Sequence, residues 1–223
     1  NKIQFLGERM KLSKSLYTRA IQCQKSLWLK KHNKDVLTPP NAAAQAIFEN
    51  GNEVGDLACR LFPNGIEIPY DNTTFKDKII LTQDYINQGI ENIYEATFEF
   101  DGILIMIDIL NIKDNSVIIN EVKSSTQVKD IYLHDASIQY YVLNGLGYDV
   151  KKVNIIHINN EYVRDEELDI NQLFSIVDVT YEVKELQANI KNNLEIFRKT
   201  LAKEEEPNID IGVHCDNPYE CDA

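Results

Sequence analysis

No apolar run in this sequence is long enough to span a bilayer, and its start lacks the basic, apolar and small-residue succession of a secretory signal. The expectation is a cytoplasmic protein without a membrane partner. Internal repeats and low-complexity segments are also missing, so 223 residues fit a single domain with a sizeable core. Cysteine is scarce, at four residues, and disulfides are not expected in that compartment. Cys59, in Leu57-Ala58-Cys59-Arg60, reads as core packing. Positive charge is in deficit too: the net charge of −12 argues at first sight against a polyanionic partner.

The deficit is uneven. From Arg9 to Lys34 there is no Asp or Glu at all, but eight Lys and Arg, which makes this stretch a basic stripe. Ser13 is placed to cap a helix in which Leu16, Ala20, Cys23 and Leu27 recur at helical spacing, with Trp28 beside them. Such a helix could bury one face and offer Lys14, Arg19, Lys25 and Lys31 to phosphates, or it could simply be solvated.

Thr38-Pro39-Pro40 interrupts the pattern, and Asn41 can cap a second helix from Ala42 to about Leu61, crossed by Gly51 and Gly55. Phe62-Pro63-Asn64-Gly65 reads as a turn, Ile66 to Ile68 as a short strand, and Thr74 to Asn87 as an amphipathic helix. Asn92 to Phe100 alternates as a strand and leads through Asp101-Gly102 into two β-branched runs, Gly102–Lys113 and Ser116–Lys123, on either side of Asp114-Asn115. That is a hairpin signature. Lys129 to Asn144 reads as a helix ending at Gly145 and Gly147, Lys152 to Ile158 as a strand, and Val179 to Glu206 as a long helix stopped by Pro207. Strand, crossover helix and strand make a βαβ unit, so the sheet should be mixed.

The hairpin carries the chemistry. With Asp114 and Asn115 in the turn, Lys113 pairs with Ser116, and counting back sets Asp108 opposite Glu121, about 4.5–5.5 Å apart at Cβ. Like charges so close, among Met106, Leu110, Ile119, Ile112 and Val117, call for a cation between them. A divalent metal with oxygen ligands would serve, and Lys123, two residues past Glu121, shares the face. A structural ion pair with Lys123 is the plainer alternative. Both faces of the hairpin are apolar, however, as in strands covered on both sides, where charged residues are seldom left without a function.

Asp108, then Glu121-Val122-Lys123, then a helix containing Gln139, resembles the PD-(D/E)XK nuclease superfamily, in particular its RecB-like branch and the CRISPR-associated exonucleases that carry an iron–sulfur cluster. The likeness runs from Leu12 to Cys221. It implies an α/β fold, a restriction-endonuclease-like mixed sheet flanked by helices with a helical N-terminal lobe. The implied segments of one nuclease-like domain are a mainly helical lobe at 1–90, a core at 91–206 and a cysteine-containing tail at 207–223. It implies a Mg²⁺- or Mn²⁺-dependent DNA exonuclease acting on single strands or ends in repair, recombination or defence. Its partners would be DNA and other repair or defence proteins. A catalytically weak module that binds DNA ends or a protein is the alternative.

On this resemblance Asp108, Glu121 and the Val122 carbonyl hold the metal, Lys123 orients water or neutralises charge, and Gln139 with a nearby tyrosine, Tyr140 or Tyr141, positions the strand. Three departures stand out. Gly55 occupies the place of a metal-binding histidine, so Glu53 or Glu49 would substitute, or the metal would rely on Asp108, Glu121 and the Val122 carbonyl alone. Position 143 is Leu where a tyrosine is usual. Cys23, Cys215 and Cys221 match three of four cluster cysteines, so a [4Fe-4S] cluster would need a fourth ligand from a longer protein, or His214 would complete a zinc site. His32, His134 and His157 read as ordinary surface or core histidines.

Overall fold

The computed structural model describes residues 11–113 and 116–223; the Asp114-Asn115 turn and Arg9 lie outside the described residues. Its centre is a mixed seven-stranded sheet flanked by helices. The strands are β1 (Leu12–Ser13), β2 (Ile66–Glu67), β3 (Asn92–Phe100), β4 (Ile103–Lys113), β5 (Ser116–Lys123), β6 (Asp149–Ile158) and β7 (Phe174–Asp178). Their order is β2-β3-β4-β5-β6-β7, with β1 added beside β4. β3, β4 and β5 form an antiparallel meander, while β5 and β6 run parallel. That parallel pair is the expected βαβ unit, and α5 (Asp130–Gly145) is its crossover.

The expected hairpin register is present, from Lys113↔Ser116 through Ile109↔Asn120. The ladder stops there, one pair short of Asp108 and Glu121, and β1 takes over beside the start of β4 at Ile103 and Leu104. The splay has a local cause. Asp108 Oδ2 accepts from the Val122 amide at 2.7 Å, a side chain taking the place of a ladder carbonyl.

Helices cover both faces, which is why the central strands are apolar on both sides. The larger core joins Ile105, Ile107 and Ile119 of the sheet to Ile138 and Val142 of α5 and to Leu194 and Phe197 of α7 (Thr180–Leu201). A smaller core sets Val54 and Ala58 of α3 (Ala42–Cys59) on Ile109, Ile156 and Phe174.

Several elements differ from expectation. The basic helix is two: Ser13 does cap α1 (Lys14–Gln22), its Oγ accepting from Leu16, but Cys23 is extended and a separate α2 (Gln24–His32) follows. The break lets α1 pack on α5 and α2 on α7. The long C-terminal helix ends at Leu201 rather than Glu206. A short helix α6 (Ile170–Leu173) and β7 were not foreseen, since each is too short to show a period. α4 (Phe75–Asn87) is as expected, with a capping box between Thr74 and Asp77. Among the described residues no helix is long and apolar enough to cross a membrane.

Candidate active site

Where β4 and β5 splay, five charged side chains converge from four elements. Glu121 of β5 is only 1 % exposed. Lys123 Nζ lies 2.6 Å from Glu121 Oε1 and 2.6 Å from Asp135 Oδ2 of α5. Lys14 Nζ, from the first turn of α1, donates to both Glu121 oxygens at 3.0 Å and sits 3.6 Å from Asp135 Oδ1. Gln139 Nε2, one turn after Asp135, donates to Glu121 Oε2 at 2.6 Å, and its buried Oε1 has no hydrogen-bond partner. Asp108 completes the group, held by the Val122 amide. Gln139, which only the family resemblance singled out, is thus in contact with Glu121.

A sixth member was not foreseen. Pairs Tyr94↔Ile109 and Ala96↔Ile107 flank Glu95 and Asp108, so Glu95 stands opposite Asp108 yet drops out of the ladder. Its φ of 57° is a left-handed conformation that costs a non-glycine residue on the order of 1–3 kcal/mol and marks functional sites. The signal was present in the sequence. Asp101 and Gly102 form the turn, both with positive φ, and counting back from Phe100↔Ile103 puts Glu95 level with Asp108.

The charges are poorly solvated, and their proton affinities show it. Burial raises Asp108, against the opposing pull of Lys14 and Lys123. Burial, then repulsion from Asp108 and Asp135, pushes Glu121 up to about 7 despite both lysines. Burial likewise raises Glu95, partly relieved by Lys14. Asp135 goes the other way: burial would raise it, but Lys14 and Lys123 hold it far below the carboxylate range. Both lysines stay charged, because the surrounding carboxylates outweigh the cost of burying them. Four carboxylates face these two ammoniums, so ionising all four would leave surplus negative charge among apolar strands, which is why three of them hold protons more tightly than usual.

Other expected site residues lie elsewhere. Tyr141 points away from the cluster: its hydroxyl donates to Asp101 Oδ2 at 3.1 Å, beside Arg198, which also donates to the Asp101 carbonyl. They line a separate cavity of about 810 Å³ with Phe100 and Asn144. Tyr140 packs half-buried against the main core. Glu53 and Glu49 are exposed on α3, whose inward face is taken by Val54 and Ala58. A Cβ added at Gly55 would meet nothing within 4 Å.

The basic stripe is not a free phosphate-binding face. Lys14 is turned inward on Glu121, Arg19 pairs with Asp222 at 2.7 Å, and Lys25 pairs with Glu206 at 3.2 Å. Lys31 is exposed, as expected. Partners distant in sequence claim the cations that a local reading leaves available.

Cys59 is pushed up to about 12, by burial and then by Asp56 and Asp108, as suits a packed thiol. Cys23 and Cys221 both lie near Arg19, and the Cys221 amide donates to the Cys215 carbonyl at 2.7 Å, so the fold draws the three towards one end of α1. Among the described residues, however, no group of three His, Cys, Asp or Glu side chains is arranged to hold a metal ion, here or at the carboxylate cluster.

No family model and no curated protein matches the sequence. Solved structures similar to it include LHK-Exo in complex with dAMP, at 14 % identity and a TM-score of 0.44, covering 86 % of this chain and 87 % of that one. SSO0001 shows 11 % identity and a TM-score of 0.41, over 92 % and 82 % of the two chains. A phage related exonuclease from Haemophilus somnus 129PT shows 12 % identity and a TM-score of 0.38, over 87 % and 94 %.

Proposed function

We propose that the protein is a metal-dependent deoxyribonuclease, acting as an exonuclease on single-stranded DNA or DNA ends. The observation that carries this reading is the convergence of Glu95, Asp108 and Glu121 from three adjacent strands, with Lys123 and Gln139 held on Glu121.

The donor chemistry fits a hard divalent cation. Buried carboxylate oxygens in excess of ammoniums, beside the unpartnered Gln139 Oε1, form the environment that Mg²⁺ or Mn²⁺ neutralises. Asp108, Glu121 and the Val122 carbonyl would hold the ion, with Lys14 yielding the Glu121 oxygens it now occupies. When bound, the ion lowers the pKa of a water and stabilises charge on a phosphate. Lys123, fixed between Glu121 and Asp135, presents a permanent positive charge where an attacking oxygen or phosphate accumulates negative charge. Gln139 keeps Glu121 oriented, and Asp135 keeps Lys123 charged.

Purified protein with Mn²⁺ and single-stranded DNA labelled at either end provides the test. Cleavage lost in Glu121→Ala and in Lys123→Ala supports the reading, and activity surviving either substitution defeats it.

A second reading, a binding module without efficient catalysis, draws on the ammonium of Lys14 seated on both Glu121 oxygens. Tight Mn²⁺ binding with no cleavage of any DNA would favour it. For Cys23, Cys215 and Cys221 the proposal is an iron–sulfur cluster completed by a fourth ligand, or a zinc ion completed by His214. Iron, sulfide and zinc analysis of anaerobically purified protein tests this.

A further inference from the structure

The segment after α7 returns across the molecule to the far end of α1, and its attachments are polar. Gln22 Nε2 donates to the carbonyls of His214 and Tyr219 at 2.8 and 2.7 Å. Arg19 grips both oxygens of Asp222 at 2.7 and 2.8 Å, and the Thr38 amide donates to the Asp222 carbonyl at 2.6 Å. Apolar burial contributes little here: Ile211 and Val213 are 94 % and 87 % exposed. A segment that served only to complete the core would turn such residues inward. What it offers towards the cluster is a half-exposed tyrosine, Tyr219.

Tyr219 meets Tyr132 of α5, and the Tyr132 ring lies under Lys123, with Nζ 5.2 Å from its centroid. Tyr132 is buried, and its side-chain hydrogen bond with Tyr219 restricts it further. The strap therefore reaches the cluster by two routes. Through Arg19 and Gln22 it fixes α1, whose first residue is Lys14; through Tyr219 and Tyr132 it backs Lys123. These are the two ammoniums that contact Glu121.

We propose that the C-terminal strap, residues 207–223, positions Lys14 and Lys123 on Glu121, with Tyr219 and Tyr132 as positioning residues. A flexible ammonium loses much of its value if it must be immobilised during reaction, and a ring face at about 5 Å restricts it through a cation–π contact. The catalytic consequence rests on the nuclease reading, whereas the positioning does not.

The experiment measures acylation of individual lysines by an amine-reactive ester at pH 8, read by peptide mass spectrometry, in the full chain. In unaltered protein Lys14 and Lys123 react far more slowly than exposed Lys31. Tyr219→Ala should raise the Lys123 rate at least fivefold and leave Lys31 unchanged. Tyr132→Leu should do the same, and Tyr132→Phe, which keeps the ring under Lys123 but loses the hydroxyl that Tyr219 contacts, should raise the rate by less. Arg19→Met should raise the Lys14 rate. If that variant does not fold, Tyr219→Ala, at a half-exposed position, still decides the matter.

Unchanged protection of Lys123 in Tyr219→Ala overturns the proposal. Cleavage assays on the same samples separate the two ideas. Exposure of Lys123 with a fall in kcat and little change in KM supports both. Exposure of Lys123 in a protein that cleaves no DNA leaves the strap standing and defeats the nuclease reading. Cleavage by unaltered protein, with lysines indifferent to the strap, defeats the strap alone.

Discussion

Lys14 Nζ lies 3.0 Å from each carboxylate oxygen of Glu121, although 107 positions separate the two residues. The ammonium occupies the electrostatic position of a cation in the cluster. Removing it should expose how strongly the remaining carboxylates demand one. Lys14→Met should destabilise the protein by about 2–4 kcal/mol, because breaking a buried ion pair leaves uncompensated charge. Millimolar Mn²⁺ should then raise the melting temperature of Lys14→Met by more than it raises that of unaltered protein. Equal shifts in calorimetry would show that the metal does not bind where Lys14 sits.

Glu121 makes stability depend on pH in an unusual direction. Its folded pKa is about 7 against an ordinary 4.5, so between these values the folded state binds the extra proton and the unfolded state does not. Stability from this group is therefore present below pH 4.5 and is lost as pH rises to 7. Glu121→Gln should be more stable than unaltered protein at pH 8, by on the order of 1–3 kcal/mol, and the difference should shrink towards pH 5. Denaturant titrations at the two pH values check this, and on the nuclease reading the same variant should cleave no DNA.

Glu95 sets geometry against charge. Replacing it with glycine removes a strained φ and a partly buried carboxyl group together, so Glu95→Gly should melt higher, by about 1 kcal/mol of stability. It should also weaken Mn²⁺ binding measured calorimetrically. A variant that is both less stable and unchanged in metal affinity would assign Glu95 a purely structural part.

Gly55 sits mid-helix with open space where a side chain would go. Gly55→Ala should stabilise by about 0.5–1 kcal/mol through helix propensity and reduced unfolded-state entropy. Gly55→His should fold equally well, and on the nuclease reading it should tighten Mn²⁺ binding. Loss of folding in either variant would show that α3 packs more closely there than the open space implies.

Much of the sheet was legible because hairpin geometry is local. Two β-branched runs around Asp-Asn fixed the β4–β5 register, and that register alone brought Asp108 level with Glu121. Apolar residues on both faces of β4 likewise required cover on both sides. The same counting on the Asp101-Gly102 turn contains Glu95. Cys23, by contrast, continued a helical period in the sequence and yet ends α1, with partners of the C-terminal strap on the preceding turn.

What the sequence by itself determined is therefore whatever period and turn chemistry can fix within some twenty residues: the meander, its register, the crossover helix and the carboxylate pair. What only the tertiary structure decided is the destination of each cation. Lys14 and Arg19 lie a turn or so apart on one helix, and a local pattern treats them alike. Long-range packing sends the first to Glu121, a buried carboxylate that requires a charged partner, and the second to Asp222, because chain topology determines which carboxylate each cation can reach.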